Sequence, residues 1–226
     1  MHKEPLQTIF EILHHVNKEH PSLVKQFFNS SSHSDIDILN SEIKEWALRS
    51  FSAPSPKHVK QQVMLRNNLI NATWIETGTF YGDTSYFLSQ HSKFVHTTEP
   101  EPKLFASARK RFENLHNICV YNDLSEIFLP KLLPTLSGNL CFWLDGHYSA
   151  GNTFAGPNDT PLRDELTAIA ANIFRFDNVA ILIDDIRLCG SHHIFGSYPT
   201  LDELVYFATK LNLKWYIEHD IFIAKS

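Results

Sequence analysis

The spacing of apolar positions changes its period once along the chain, near residue 73. Before that point Leu6, Ile9, Phe10, Leu13 and Val16 recur at helical spacing, and Leu23, Val24, Phe27 and Phe28 mark a second, short helix. Further helices are expected over 41–49 and 57–70, separated by Pro54 and Pro56, with a polar break over 29–34. After it, short apolar runs at 73–77, 94–98, 117–121, 140–145 and 179–184 alternate with helical patterns, as βαβ units of a parallel sheet do. The chain closes with 213–218, a His219-Asp220 turn and 221–224, which read as an antiparallel hairpin. Thr160 is a plausible N-cap with Pro161 at the first helical position, and Thr200-Leu201-Asp202-Glu203 has the form of a capping box. The pattern predicts an α/β chain with a helical extension over 1–56. It gives 57–226 a mostly parallel seven-stranded sheet ending in an antiparallel hairpin.

Composition narrows the class. With 226 residues, 43% hydrophobic and 20% charged, the chain can bury a sizeable core. A net charge of −5 argues against a nucleic-acid partner, which needs clustered Lys and Arg. The richest basic run, Arg109-Lys110-Arg111, reads as the solvated face of a helix. Cys119, Cys141 and Cys189 show no CxxC spacing; the first two fall in strand-like runs and are expected as buried free thiols. No apolar run approaches a membrane span and no secretory segment is recognisable, so no membrane insertion and a cytoplasmic location are expected.

Three segments carry candidate chemistry. The first is Glu76-Thr77-Gly78-Thr79-Phe80-Tyr81-Gly82-Asp83-Thr84, which leaves one strand and opens a helix. Gly78 permits a sharp turn with close backbone approach, and Gly82 lets the loop pack under a ligand. The second is Glu99, 21 positions after Gly78 at the end of the next strand. An acid at that distance in a nucleoside-binding unit accepts hydrogen bonds from ribose hydroxyls, and the alternative is a solvated strand end. The third is Asp123, which either meets an adenine amino group or caps the following helix.

The acids Asp145, Asp184 and Asp185 stand at the ends of the fourth and fifth expected strands. Parallel neighbours end at one sheet edge, where open α/β sheets place ligands. Three carboxylates there repel one another unless a cation neutralises them, and hard oxygen ligands suit Mg²⁺ or a similar divalent ion. Asp145 also falls within reach of the nucleoside site. His147 is a candidate general base, a candidate metal ligand, or neither. The long 148–159 segment reads as a lid over an acceptor pocket. Glu165 is a minor site candidate and otherwise favours a helix N-terminus. His192 and His193 read as a surface loop that contacts the acceptor sooner than a metal.

Together these segments resemble the class I S-adenosylmethionine (SAM)-dependent methyltransferases over about residues 58–226, most closely the metal-dependent macrocin- and novobiocin-type sugar O-methyltransferases. The resemblance implies a Rossmann-like SAM methyltransferase fold. It also implies SAM as cofactor, held by Glu76, Thr77, Gly78, Thr79, Gly82, Asp83, Thr84, Glu99, Asp123 and Asp145, and Mg²⁺ on Asp145, Asp184 and Asp185. Asp145 and His147 would act in catalysis on a small hydroxylated acceptor such as a sugar. Residues 1–56 would cover the acceptor or form a homodimer interface. Two departures stand out: Phe80 replaces the middle glycine of the loop, and His147 stands where the relatives carry an acidic base. A non-catalytic nucleoside-binding protein and a metal-dependent hydrolase are the alternatives.

Overall fold

The computed structural model describes residues 33–145, 160–190 and 198–226, without side chains for 33–40. The helices expected over 4–28, His147, the 148–159 segment, His192 and His193 lie outside the described residues. The chain divides into two units between His58 and Val59.

In the first unit helix α1 (His33–Leu48) starts eight positions earlier than the apolar pattern suggested. Polar residues such as Ser34 and Asp35 are at home in a first helical turn, so polarity there marked a helix start and not a break. The chain leaves α1 through Ser50 and Phe51, both at positive φ. Trp46 seals that turn, edge-on to Phe51 at 5.1 Å and donating its indole N–H to the Ser52 carbonyl at 2.9 Å.

Helix α2 (Lys57–Asn67) leads into the second unit and ends three residues before the expected 70. Its last residue is diverted into tertiary contacts. The Asn67 side chain accepts from Tyr216 Oη at 2.7 Å and Lys225 Nζ at 3.1 Å, and donates to the Val63 carbonyl at 2.9 Å. Then follow β1 (Thr73–Thr77), α3 (Asp83–Ser89), β2 (Phe94–Thr98), α4 (Pro102–Arg111), β3 (Ile118–Tyr121) and α5 (Ser125–Leu132). The order continues with β4 (Gly138–Leu144), α6 (Leu162–Asn172), β5 (Phe176–Ile183), α7 (Leu201–Lys210), β6 (Lys214–Glu218) and β7 (Ile221–Lys225).

The seven strands form one sheet in the order β3-β2-β1-β4-β5-β7-β6, parallel except for β7, which is antiparallel to both neighbours. This is the fold read from the sequence. The hairpin turn is His219-Asp220, and both residues take positive φ (48° and 69°), as the tightest hairpin turns require. The α7 capping box is complete: Thr200 accepts from the Glu203 N–H, and Glu203 accepts from the Thr200 N–H. At α6 the boundary moves by one residue. Pro161 takes the cap position, and Thr160 Oγ1 accepts from the Leu162 N–H at 3.3 Å.

Strand alternation sorts the core into two faces. Ile75, Phe142, Leu144, Ile181 and Ile183 pack with α5, α6 and α7. Trp74, Trp143, Cys141 and Leu182 pack on the opposite face with Val63, Met64, Leu88 and Phe112. All three cysteines are free; Cys141 and Cys189 are buried and Cys119 only partly so, because β3 is an edge strand. No helix among the described residues is long and apolar enough to cross a membrane.

Candidate functional site

Register brings the chemistry to one edge. Thr77 pairs with Thr98 on one side and Leu144 on the other, Thr98 with Tyr121, and Leu144 with Ile183, so the parallel strands end level. The next residues, Gly78, Glu99, Asn122, Asp145 and Asp184, therefore line one rim. Strand order reverses between β1 and β4, and the crevice of an open α/β sheet lies at that switch point.

The loop after β1 is drawn onto β2. The N–H groups of Gly78 and Thr79 both donate to the Thr98 carbonyl, at 3.1 and 3.0 Å, and Thr79 Oγ1 lies 2.6 Å from Thr97 Oγ1. Glu99 closes the loop by accepting from the Phe80 N–H at 2.8 Å and the Glu101 N–H at 3.0 Å. Burial raises the Glu99 pKa, and these two backbone donors work against that rise. Glu99 is therefore a buried loop clamp and not a solvated strand end. Phe80 adopts φ +49° with its ring exposed, so the backbone turns left-handed there without a glycine.

Gly82 has two constraints. Its φ is +81°, and a Cβ placed on it would sit 2.4 Å from Phe112 Cζ. The loop here packs against the Phe112 ring. Beside it, Arg111 donates to Asp83 Oδ1 and to the Tyr81 carbonyl, each at 2.6 Å. One member of the basic run is thus tied to the loop, a 28-residue contact that helix periodicity does not reveal. Thr84, in the first turn of α3, is half-buried.

The two residues that end β1 point to opposite faces. Glu76, 1% exposed, accepts from Ser85 Oγ on α3. Burial raises its pKa to about 7 against hydrogen bonds from Ser85 and Thr97, with the charges of Asp145 and Glu99 adding to the rise. Thr77 faces α5 and α6, where its hydroxyl lies against the buried carboxyl of Glu165. Glu165 is itself raised to about 7, chiefly by burial, with the Ser125 and Thr77 hydroxyls opposing the rise. Glu165 stands in the first turn of α6, as the helix-start reading has it, with its carboxyl buried.

Asp123 is not the cap of α5. The cap position of α5 belongs to Leu124, while Asp123 Oδ1 accepts from the Leu124 N–H at 3.0 Å and Oδ2 pairs with Lys131 at 2.8 Å. Its carbonyl accepts from Thr98 Oγ1 at 2.6 Å, which fixes it at the rim next to β2.

The three aspartates do converge. Asp145, Asp184 and Asp185 each offer a carboxylate oxygen, all within 4.8 Å of one another. Asp145 also donates its N–H to the Thr77 carbonyl at 3.3 Å, which joins the acid cluster to the start of the glycine loop. Asp185 stands at φ +56°, a left-handed turn that swings its carboxylate back beside Asp184, whose Oδ1 accepts the Asp185 N–H at 2.9 Å.

Two cations that sequence reasoning missed reach this cluster. Lys60 Nζ is paired with Asp184 Oδ2 and lies 3.5 Å from Asp185 Oδ1. Arg187 pairs with Asp185 at 2.6 Å and with Asp220 of the hairpin turn. Burial pushes the Asp184 pKa up, repulsion from Asp145 and Asp185 adds to it, and Lys60 opposes it. For Lys60, burial works against the ammonium, but attraction to Asp184 and then to Asp185 and Asp145 wins and raises its pKa.

No protein-family model matches the chain, and no curated protein matches it. Among solved structures it is similar to the N-methyltransferase NodS from Bradyrhizobium japonicum WM9 in complex with S-adenosyl-L-homocysteine (SAH). That match has 13% identity and TM-score 0.49, over 75% of this chain and 85% of that one. It is also similar to an rRNA methylase from Streptococcus thermophilus, at 15% identity and TM-score 0.45, over 77% and 96% of the two chains. A precorrin-6y C5,15-methyltransferase from Geobacter metallireducens GS-15 matches at 12% identity and TM-score 0.46, over 73% and 86%.

Proposed function

We propose that the chain is a SAM-dependent O-methyltransferase that acts on a hydroxyl of a sugar or another small polyhydroxylated acceptor. The observation that carries this reading is the junction at the β1–β4 switch point. The Asp145 N–H is bonded to the Thr77 carbonyl, so the cluster of three aspartates begins where the glycine loop begins. A nucleoside cradle and a polar acceptor site then share one crevice.

Glu99 spends one lone pair of each oxygen on the backbone, which leaves acceptor capacity for ribose hydroxyls. Gly78, Thr79, Gly82, Asp83 and Thr84 shape the cradle, Glu76 lies beneath it, and Asp123 stands at the rim on the adenine side. Phe80 already holds left-handed geometry, which removes the main argument for a disabled loop.

SAM bound in the cradle would supply a methyl group to the acceptor oxygen, its carbon–sulfur bond breaking as the new bond forms, and His147 would take the hydroxyl proton. The donor chemistry of Asp145, Asp184 and Asp185, three carboxylate oxygens within 4.8 Å of one another, fits Mg²⁺ or a similar hard cation. A divalent ion held there supplies the charge that lowers a hydroxyl's pKa. Positioning of the acceptor against the methyl group contributes the rest. The same proposal takes a small molecule as acceptor, excludes nucleic acid, and gives residues 1–56 to covering the acceptor or forming a homodimer.

Calorimetric titration with SAM and with SAH, each with and without Mg²⁺, tests it. Micromolar binding supports the reading and leads to a screen of sugar acceptors; no binding under any condition ends it. Full activity of Asp184→Asn without metal would remove the metal from the mechanism.

A further inference from the structure

Lys60 is the feature the proposed mechanism leaves unused. It stands on α2, 124 residues before Asp184 in sequence, with its side chain 17% exposed against 2% for Asp184. Its ammonium pairs with the Asp184 oxygen that the Asp185 N–H does not occupy, and it also lies within reach of Asp185. Each Asp184 oxygen thus has a partner: backbone on one, lysine on the other. Arg187 is held differently. Its N–H groups bridge Asp185 and Asp220, and the Arg187 backbone N–H also donates to Asp220 at 2.9 Å. The guanidinium is tied to two carboxylates and the backbone beside it to one of them, whereas the Lys60 ammonium sits on a flexible four-carbon stem that can swing away.

We infer that Lys60 and a divalent cation are alternative occupants of one position, so that loading the three-aspartate cluster with metal displaces the Lys60 ammonium from Asp184. The inference rests on the metal reading proposed above. An ion bonded to Asp184 Oδ2 at ordinary metal–oxygen distances would stand against Lys60 Nζ, like charge on like, with the pair too buried for water to screen it. The resident lysine keeps three close carboxylates tolerable when no ion is bound. Its stem gives it a route to solvent when one is. Metal affinity is then reduced by the fraction of molecules in which Lys60 has already left, and Lys60 sets the ion concentration at which the site fills.

The test titrates the full chain with MgCl₂ and with MnCl₂ by calorimetry, in wild type, Lys60→Met and Lys60→Gln. Both variants keep an unbranched stem without the charge, and the second guards against a fold that rejects methionine. Either variant is expected to bind at least about tenfold tighter than wild type. A second measurement needs no variant: acylation of Lys60 by an amine-reactive ester, read by peptide mass spectrometry. Labelling of Lys60 in wild type should rise severalfold on saturation with Mg²⁺, with other lysines unchanged. Equal affinity in all three forms, or unchanged Lys60 labelling at saturation, overturns the inference while leaving the metal site standing. No binding in any form overturns the metal reading itself, and the displacement with it.

Discussion

Replacing Gly82 by alanine tests how the glycine loop is held, because two separable costs meet there. The first is conformational: at φ +81° an L-residue gives up roughly 1–2 kcal/mol. The second is steric: the new Cβ would lie 2.4 Å from Phe112 Cζ and 2.8 Å from Cε2. Ordinary carbon contacts are about 3.5–4.0 Å, and the ring is 4% exposed within the core beneath α3 and α4, so it cannot swing into solvent. Overpacking of this kind costs about 1–3 kcal/mol. Gly82→Ala is therefore expected to lose about 2–5 kcal/mol, a large share of a domain's stability. The assay is urea unfolding of Gly82→Ala, Phe112→Leu and the double variant. Phe112→Leu removes the ring edge that the Cβ meets and costs about 1–2 kcal/mol by itself. If contact with the ring is the steric cost, the double variant recovers about 1–2 kcal/mol relative to the sum of the singles. Additivity to within about 0.5 kcal/mol would refute the packing argument. A loss below about 1 kcal/mol in Gly82→Ala would refute both parts.

Glu165 should tie stability to pH. Its folded pKa is raised from 4.5 to about 7, so between those values the native state keeps a proton that the unfolded chain has released. Stability therefore falls as pH rises through that window and levels above it, by an amount of order 3 kcal/mol. Glu165→Gln should flatten this part of the curve in urea unfolding from pH 4.5 to 8, and parallel curves for the two proteins would rule the mechanism out. Glu99→Gln places an amide NH₂ against the Phe80 or Glu101 N–H; a loss of about 1–3 kcal/mol, faster amide exchange at Phe80 and weaker SAM binding are expected together. Unchanged exchange at Phe80 would show that Glu99 does not clamp the loop. Thr200→Ala, which removes the hydroxyl of the capping box, should cost about 1 kcal/mol in the same assay.

Much of the fold was legible because its signals are local. Strands β1 and β2 fall where short apolar runs placed them, and β6 and β7 differ by one residue from the expected hairpin, since period and turn length are properties of a few neighbouring residues. The α7 capping box was readable for the same reason: cap and partner are three residues apart. Where polarity alone was the guide, as at the start of α1, the reading failed, because serine and aspartate open helices as readily as they break them.

The site divides along the same line. Residue types and spacing in the sequence were enough to nominate the glycine loop, Glu99 and the three aspartates, and parallel order implied a shared edge. Only the tertiary structure supplied their partners. Lys60 reaches Asp184 across 124 residues, Arg111 reaches Asp83 across 28, and Arg187 reaches the hairpin turn at Asp220 across 33. Packing of α6 on the sheet also buried the carboxyl of Glu165, a residue read from the sequence only as a helix start. Local sequence fixes which backbone a segment favours and which groups it carries. Which charge meets which depends on chain segments brought together only when the sheet closes, and no short-range pattern encodes that pairing.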